Sequence, residues 1–196
     1  VENVVLALAV YNRLSIYVNF NGMTRMRTIG LLGMTSVLVG FLLVVRKISK
    51  GHDFRWLLRR QLWTVAFAVY LYAVLPVDAW VMRHNVQRVL AGDMSPVVQI
   101  SVHQTSAEGV LQLLPLTQCE NEIIREGVKA VLAQYQDYSE TLAAKRKSLG
   151  WTSHQLADEE LLRALQDSQS EWSEYKDKPR RSTAITRFHE YSYQWF

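Results

Sequence analysis

Hydrophobic and polar positions follow three regimes along this chain. From Thr28 to Val45 no residue is charged, and most are Leu, Ile, Val or Phe. Gln61 to Val77 is a second uncharged run, almost as long. Beyond Cys119 the apolar positions spread out instead, and Ile124, Val128, Val131, Tyr135, Tyr138 and Leu142 recur at steps of three and four. A helix needs about 20 mostly apolar residues to cross a ~30 Å hydrocarbon layer. The aliphatic residues of the first run favour insertion by roughly 3–7 kcal/mol. A core helix of that length would show a polar stripe, and this run has none. The pattern predicts an all-α protein: a transmembrane helical hairpin, then an α-helical hairpin domain, with at most a short extended segment between them.

The second run carries Trp63, Tyr70 and Tyr72, with Trp80 just beyond, and aromatic rings near the ends of an apolar run suit a membrane interface. Pro76 lacks a backbone donor and is expected to kink or end this helix, so the membrane hairpin is assigned to residues 28–82. Its connection, Arg46 to Arg60, holds six Lys or Arg and one acid, Asp53. Short loops rich in Lys and Arg stay cytoplasmic, whereas Arg25, Arg27, Arg83 and Arg88 put only two charges on each outer flank. The loop 46–60 is therefore expected inside the cell and residues 83–196 outside it, in a bacterial inner membrane.

Charge reinforces the division. Residues 1–88 carry 11 Lys and Arg against 3 Asp and Glu, a net of +8; residues 89–196 carry 11 against 15, a net of −4. The lone cysteine, Cys119, cannot close an internal disulfide, and no Cys/His spacing suggests a metal site. A cleaved signal peptide does not fit, because the first run is too long and leaves through Val44-Val45-Arg46-Lys47 rather than small residues.

The segment 1–27 holds a shorter run, Val4 to Val10, continued by Leu14, Ile16 and Val18 but interrupted by Asn12 and Arg13. It is read as an interfacial or re-entrant helix, with a spanning helix cut short at its start as the alternative. Two strings then carry a resemblance. Tyr17-Val18-Asn19-Phe20-Asn21-Gly22-Met23-Thr24-Arg25-Met26-Arg27 precedes the first span, and Asp78-Ala79-Trp80-Val81-Met82-Arg83-His84-Asn85-Val86-Gln87-Arg88 follows the second. Their order and separation resemble the C-terminal portion of a bacterial multi-pass membrane family, domain-of-unknown-function family 4173, over roughly residues 10–160. Met23 stands where that pattern has leucine, and His84 where an aromatic is common. The resemblance implies further spanning helices upstream of Val1. The family has no assigned activity, so it lends no catalytic residue and no cofactor.

Two groups near the spans are candidates for work. Gly30, Gly33 and Gly40, with Ser36 nearby, share a helix face and would let an upstream helix approach closely. Asp78, Arg83, His84, Asn85 and Arg88 form the densest polar group at a membrane boundary. Capping and headgroup anchoring are the reading there, and a proton or substrate pathway the alternative.

Past the turn around Gly92 and Pro96, Val98, Ile100 and Val102 alternate with Gln99, Ser101 and His103, which suits a short extended segment within a connection over 83–118. Ser106 to Leu114 reads as a short helix stopped by Pro115. Ser101, His103 and Ser106 lack an oriented acid or a glycine-flanked nucleophile, so they do not make a hydrolase. The long hairpin is assigned to 119–175: Gly150 stops its first helix, Thr152 or Ser153 caps its second, and Leu161, Leu165, Trp172 and Tyr175 continue a seam. The Ile124–Leu142 seam is a candidate surface for self-association or an envelope protein. In the tail, 176–196, Lys176 to Ser182 reads as a solvated linker, followed by an aromatic end expected to dock on the hairpin or membrane. Its acidic surroundings speak against nucleic acid. The expectation is a non-enzymatic structural or interaction component of the membrane. The alternative is part of a transporter or channel, with Asp78, Arg83 and His84 near the pathway.

Overall fold

The computed structural model describes residues 2–103, 105–149 and 155–195, and among them there is helix and no strand. The expected stop at Gly150 and caps at Thr152 and Ser153 lie outside the described residues. The chain divides into two compact units: Val1–Asn19 with Met23–Val77, and Phe20–Gly22 with Asp78–Phe196.

The first unit holds α1 (Glu2–Asn21) except for its last two residues, α2 (Arg25–Lys50) and α3 (Phe54–Val74). Thr24 starts α2, since its extended backbone leaves its hydroxyl free to accept from the Arg27 amide at 3.2 Å. Gly51 ends the helix in the left-handed region at φ 63°, and the His52 amide closes on the Lys47 carbonyl at 3.1 Å. The predicted basic loop thus shrinks to Gly51, His52 and Asp53, and its cations sit on the last turns of α2 and first turns of α3. Trp56 is held there between His52, stacked at 4.3 Å, and the Arg60 guanidinium, 5.9 Å from the ring centre. α2 and α3 pair as a hairpin in which Gln61 Nε2 donates to the Gly40 carbonyl at 3.1 Å. Tyr11 on α1 shares a 2.5 Å hydrogen bond with Thr35 on α2. The two residues are equally far from Met23 along the chain, so α1 turns back far enough to touch α2 at this point.

These helices turn their apolar side chains outward. α3 buries none of its residues and α2 only Gly40, while Val37 and Trp63 are each 67% exposed. Arg25–Lys50 is long and apolar enough to cross a membrane; Phe54–Val74 meets that measure only when taken with the helix after its break. The break is at Pro76. Leu75, as the residue before a proline, is extended (φ −75°, ψ 139°). The break expected at Pro76 is there, and residues 77–82 open a further helix, α4 (Val77–Leu90).

The second unit adds α5 (Val97–Val102), α6 (Ala107–Leu111), a 3-10 turn at Leu114–Gln118, α7 (Glu122–Leu149), α8 (Leu156–Asp167), a kinked 3-10 stretch over Gln169–Lys176 and α9 (Lys178–Ser192). The extended segment expected at 97–103 is α5. Val97 to Ser101 are all buried, so apolar and polar side chains alike face protein, and the alternation marked no solvent face. Pro115 sits inside the 3-10 turn rather than at the end of a helix. Asn121 caps α7, accepting from the Ile123 and Ile124 amides at 3.0 and 3.2 Å. The solvated linker expected at 176–182 is corrected too: Pro179 stands in the first turn of α9, where a missing N–H costs nothing.

α7 is the axis of this core. Ile124, Val128, Leu132 and Ala133 are buried on it beside Leu161 and Leu165 of α8, Trp172 and Phe188. Phe188 of α9 lies on Gly127, where a Cβ would collide with the ring. Trp172 is 1% exposed, and its indole N–H donates to Gln136 Oε1 at 2.9 Å, which satisfies both buried groups.

Candidate functional site

The inner face of α4 repeats at 78, 82, 85 and 89, and Asp78, Met82, Asn85 and Val89 are all buried. Asp78 Oδ2 accepts from the Ser106 amide at 3.0 Å. Asn85 is fully buried where the Gly22 turn comes in: a Cβ on Gly22 would stand 2.9 Å from Asn85 Oδ1 and 2.7 Å from Pro96 Cβ. Gly22 is at φ +75°, a backbone that side chains resist. The two strings that carried the family resemblance, well separated along the chain, therefore meet at Gly22 and Asn85.

Arg88 reaches the loop after α4. Its Nε and Nη2 donate to Asp93 Oδ2 at 2.9 and 2.5 Å, Nη2 also donates to Ser95 Oγ, and the Ser95 amide donates to Asp93 Oδ1. Burial pushes the Asp93 carboxyl up, but the Ser95 and Arg88 bonds outweigh it and hold the group below its ordinary value. Arg83 and His84 point the other way and are exposed. The five residues of the candidate polar group are thus divided between two faces. Asp78, Asn85 and Arg88 brace the fold, and Arg83 and His84 face out.

The small-residue group divides as well. Gly40 is the point where Gln61 approaches, and a Cβ there would stand 2.7 Å from Gln61 Oε1. Gly30 and Gly33 have open space where a Cβ would go.

The candidate seam on α7 separates by face. Ile124 and Val128 are core, and Leu142 is half-buried. Val131, Tyr135 and Tyr138 instead line an open cavity of about 580 Å³ in the second unit, bordered by Ile100 to His103 and Thr105 and by Ile185 and His189 of α9. Tyr135 is half-buried with its hydroxyl 3.5 Å from the Thr105 carbonyl, and Tyr138 is 62% exposed at the mouth. Ser101 is occupied with the fold: its hydroxyl meets Ser192 Oγ at 2.6 Å, and Ser192 donates to the His189 carbonyl at 2.7 Å. Among the described residues no three of His, Cys, Asp and Glu converge to hold a metal ion.

The sequence reading missed Ile185 and His189. Reading Pro179 as a helix start would have exposed the Ile185, Phe188, Ser192 spacing behind it.

By fold this is an all-α protein with one helix long and apolar enough to cross a membrane, ahead of a packed helical unit. Residues 1–116, more than half of the chain, match a family described as a domain of unknown function (DUF4153), and the chain belongs to that family. A family of unknown function is what the resemblance implies, but the family is DUF4153 and not the expected 4173. The match takes in α1 to α6 and both strings; α7, α8 and α9 lie beyond it. Comparison with curated proteins and with solved structures finds no match.

Proposed function

We propose that this protein is a non-enzymatic component of the bacterial inner membrane. In this reading α2 and α3 cross the bilayer, and the second unit is an extracytoplasmic helical domain that binds an envelope protein at its tyrosine-lined cavity. The observation that carries the reading is the outward apolar surface of α2 and α3. A helix the length of α2 measures about 39 Å, enough for the ~30 Å hydrocarbon layer, and α2 fully buries none of its aliphatic side chains within the chain. In water that surface would be a liability; in lipid it is solvated. The Gln61–Gly40 hydrogen bond then joins the two spans, where an unpaired amide would be costly.

The Tyr11–Thr35 bond favours placing α1 in the bilayer as well, over the interfacial placement. Arg13 is accommodated by reaching toward the Gly22 turn: its Nη2 lies 3.4 Å from the Tyr17 hydroxyl, one turn further along, with the guanidinium 5.7 Å from the ring centre. Long cationic side chains near a membrane stretch in this way toward the headgroups. Gly30 and Gly33 offer a close-approach face to another spanning helix. The pathway alternative finds less support, because Asp78 already accepts from Ser106 and lies on the opposite face of α4 from Arg83 and His84.

Cysteine labelling tests the reading, helped by the burial of the single native thiol, Cys119. In intact cells Glu140→Cys reacts with an impermeant maleimide, and Ser49→Cys reacts only after the membrane is opened. Labelling of Ser49→Cys in sealed cells overturns the orientation, and release of the chain by alkaline carbonate overturns the membrane assignment. For the interaction role, a photo-crosslinking residue at position 138 should give a discrete adduct heavier than the chain, lost in Tyr135→Asp. Crosslinking to lipid alone overturns the interaction role.

A further inference from the structure

α4 has an outer face as regular as its inner one. Trp80, Arg83, His84, Gln87 and Leu90 are exposed at steps of three and four, so they share one side of the helix, and Trp80 is 58% exposed. The side carries a large aromatic, an aliphatic and a cation, and it carries no acid: Asp78 belongs to the inner face, and Asp93 is held by Arg88 and Ser95. A helix packed on one side only and turned to plain water has no use for an exposed indole beside an arginine. A phospholipid headgroup layer uses both, because the ring straddles its dry and wet edges and the guanidinium meets phosphate.

Covalent reach limits where α4 can begin. Only Leu75 and Pro76 separate the last residue of α3 from the first of α4, so Val77 is within about 11 Å of the end of α3. α3 finishes with exposed Tyr70, Tyr72 and Val74, the aromatic edge of the apolar surface assigned above to lipid. Trp80 is one turn further on. The headgroup layer on each side of the hydrocarbon is itself about 5–8 Å deep.

We infer that the outer face of α4 is a lipid-binding surface, with Trp80 in the headgroup layer of the outer leaflet and Arg83 on lipid phosphate. The inference rests on α3 crossing the bilayer. It gives Arg83 and His84 a partner outside the chain, and it accounts for Asp78, Asn85 and Arg88 being turned inward to brace the same helix.

The test uses the full chain reconstituted in vesicles of phosphatidylcholine and phosphatidylglycerol. Lipids brominated near the headgroup should quench a component of the tryptophan emission that is lost in Trp80→Phe. Arg83→Glu should reduce that component without releasing the chain from the vesicles. Equal lipid quenching in wild type and Trp80→Phe overturns the inference, as does a Trp80 component quenched by aqueous acrylamide and untouched by brominated lipid. Carbonate washing separates the spanning of α3 from the lipid contact of α4. Chain lost from the vesicles defeats the spanning assignment, whereas chain retained with Trp80 unquenched defeats this inference alone.

Discussion

At the scale of single residues, a few positions carry contacts that no substitute reproduces. Gly22 combines a left-handed backbone with a close approach to Pro96 and Asn85. Gly22→Ala should therefore lower stability by about 1–2 kcal/mol from the backbone alone, with more from the clash. Thermal unfolding in detergent reads this, and Gly30→Ala, with open space at its Cβ, should change it far less. Glu126 is the charge that organises the far side of the core. Burial raises its carboxyl, but bonds from Tyr175 (2.6 Å), Arg125 and Lys129 outweigh that and hold it below its ordinary value of 4.5. Burial and the same contact push the Tyr175 phenol up. A lowered folded value stabilises the protein fully above the ordinary value, and the benefit disappears as pH falls through the lowered one. Wild type should thus lose stability on acidification more steeply than Glu126→Gln, which keeps an acceptor for Tyr175 but cannot titrate. Parallel slopes in the two proteins would contradict this. Little of this was legible in the sequence, because Glu126 and Tyr175 are remote along the chain and nothing local marks them as a pair.

At the scale of elements, the long periodic helices were readable and the short ones were not. α2 and α7 follow from hydropathy and from steps of three and four, signals that accumulate over 26 and 28 residues. α5 has six residues and is buried on nearly every side, so its alternation mimicked a strand. α9 was hidden by its opening charges, and its docking shows only in what it touches. Phe188 needs Gly127 beneath it, so Gly127→Ala should cost about 1–3 kcal/mol by overpacking. Combining it with Phe188→Leu should recover part of that loss, and the double-mutant cycle measures the coupling. In the first unit, Gln61→Leu removes the bond to the Gly40 carbonyl and should weaken the α2–α3 pair by about 0.6–2 kcal/mol, as read by denaturing-detergent titration of the reconstituted protein.

At the scale of the whole molecule, the chain joins two kinds of exterior. The first unit presents aliphatic and aromatic side chains to its surroundings; the second buries Trp172, Phe188 and Leu165 and turns most of its charge outward. Hydropathy and charge are properties of position along the chain, summed over nearest neighbours. For that reason the sequence by itself determined the helical class, the uncharged runs, the basic turn between them and the change of character between the two halves. The candidate polar group shows the limit of that reading. Asp78, Arg83, His84, Asn85 and Arg88 are close together in sequence, but a helix distributes neighbours around its axis, and which side becomes the inside depends on what packs there. Gly22, Pro96 and Ser106 supply that packing from remote parts of the chain. Only the tertiary structure could decide that Asp78, Asn85 and Arg88 hold the fold while Arg83 and His84 face outward, because the decision lies in contacts between segments that the linear order keeps apart.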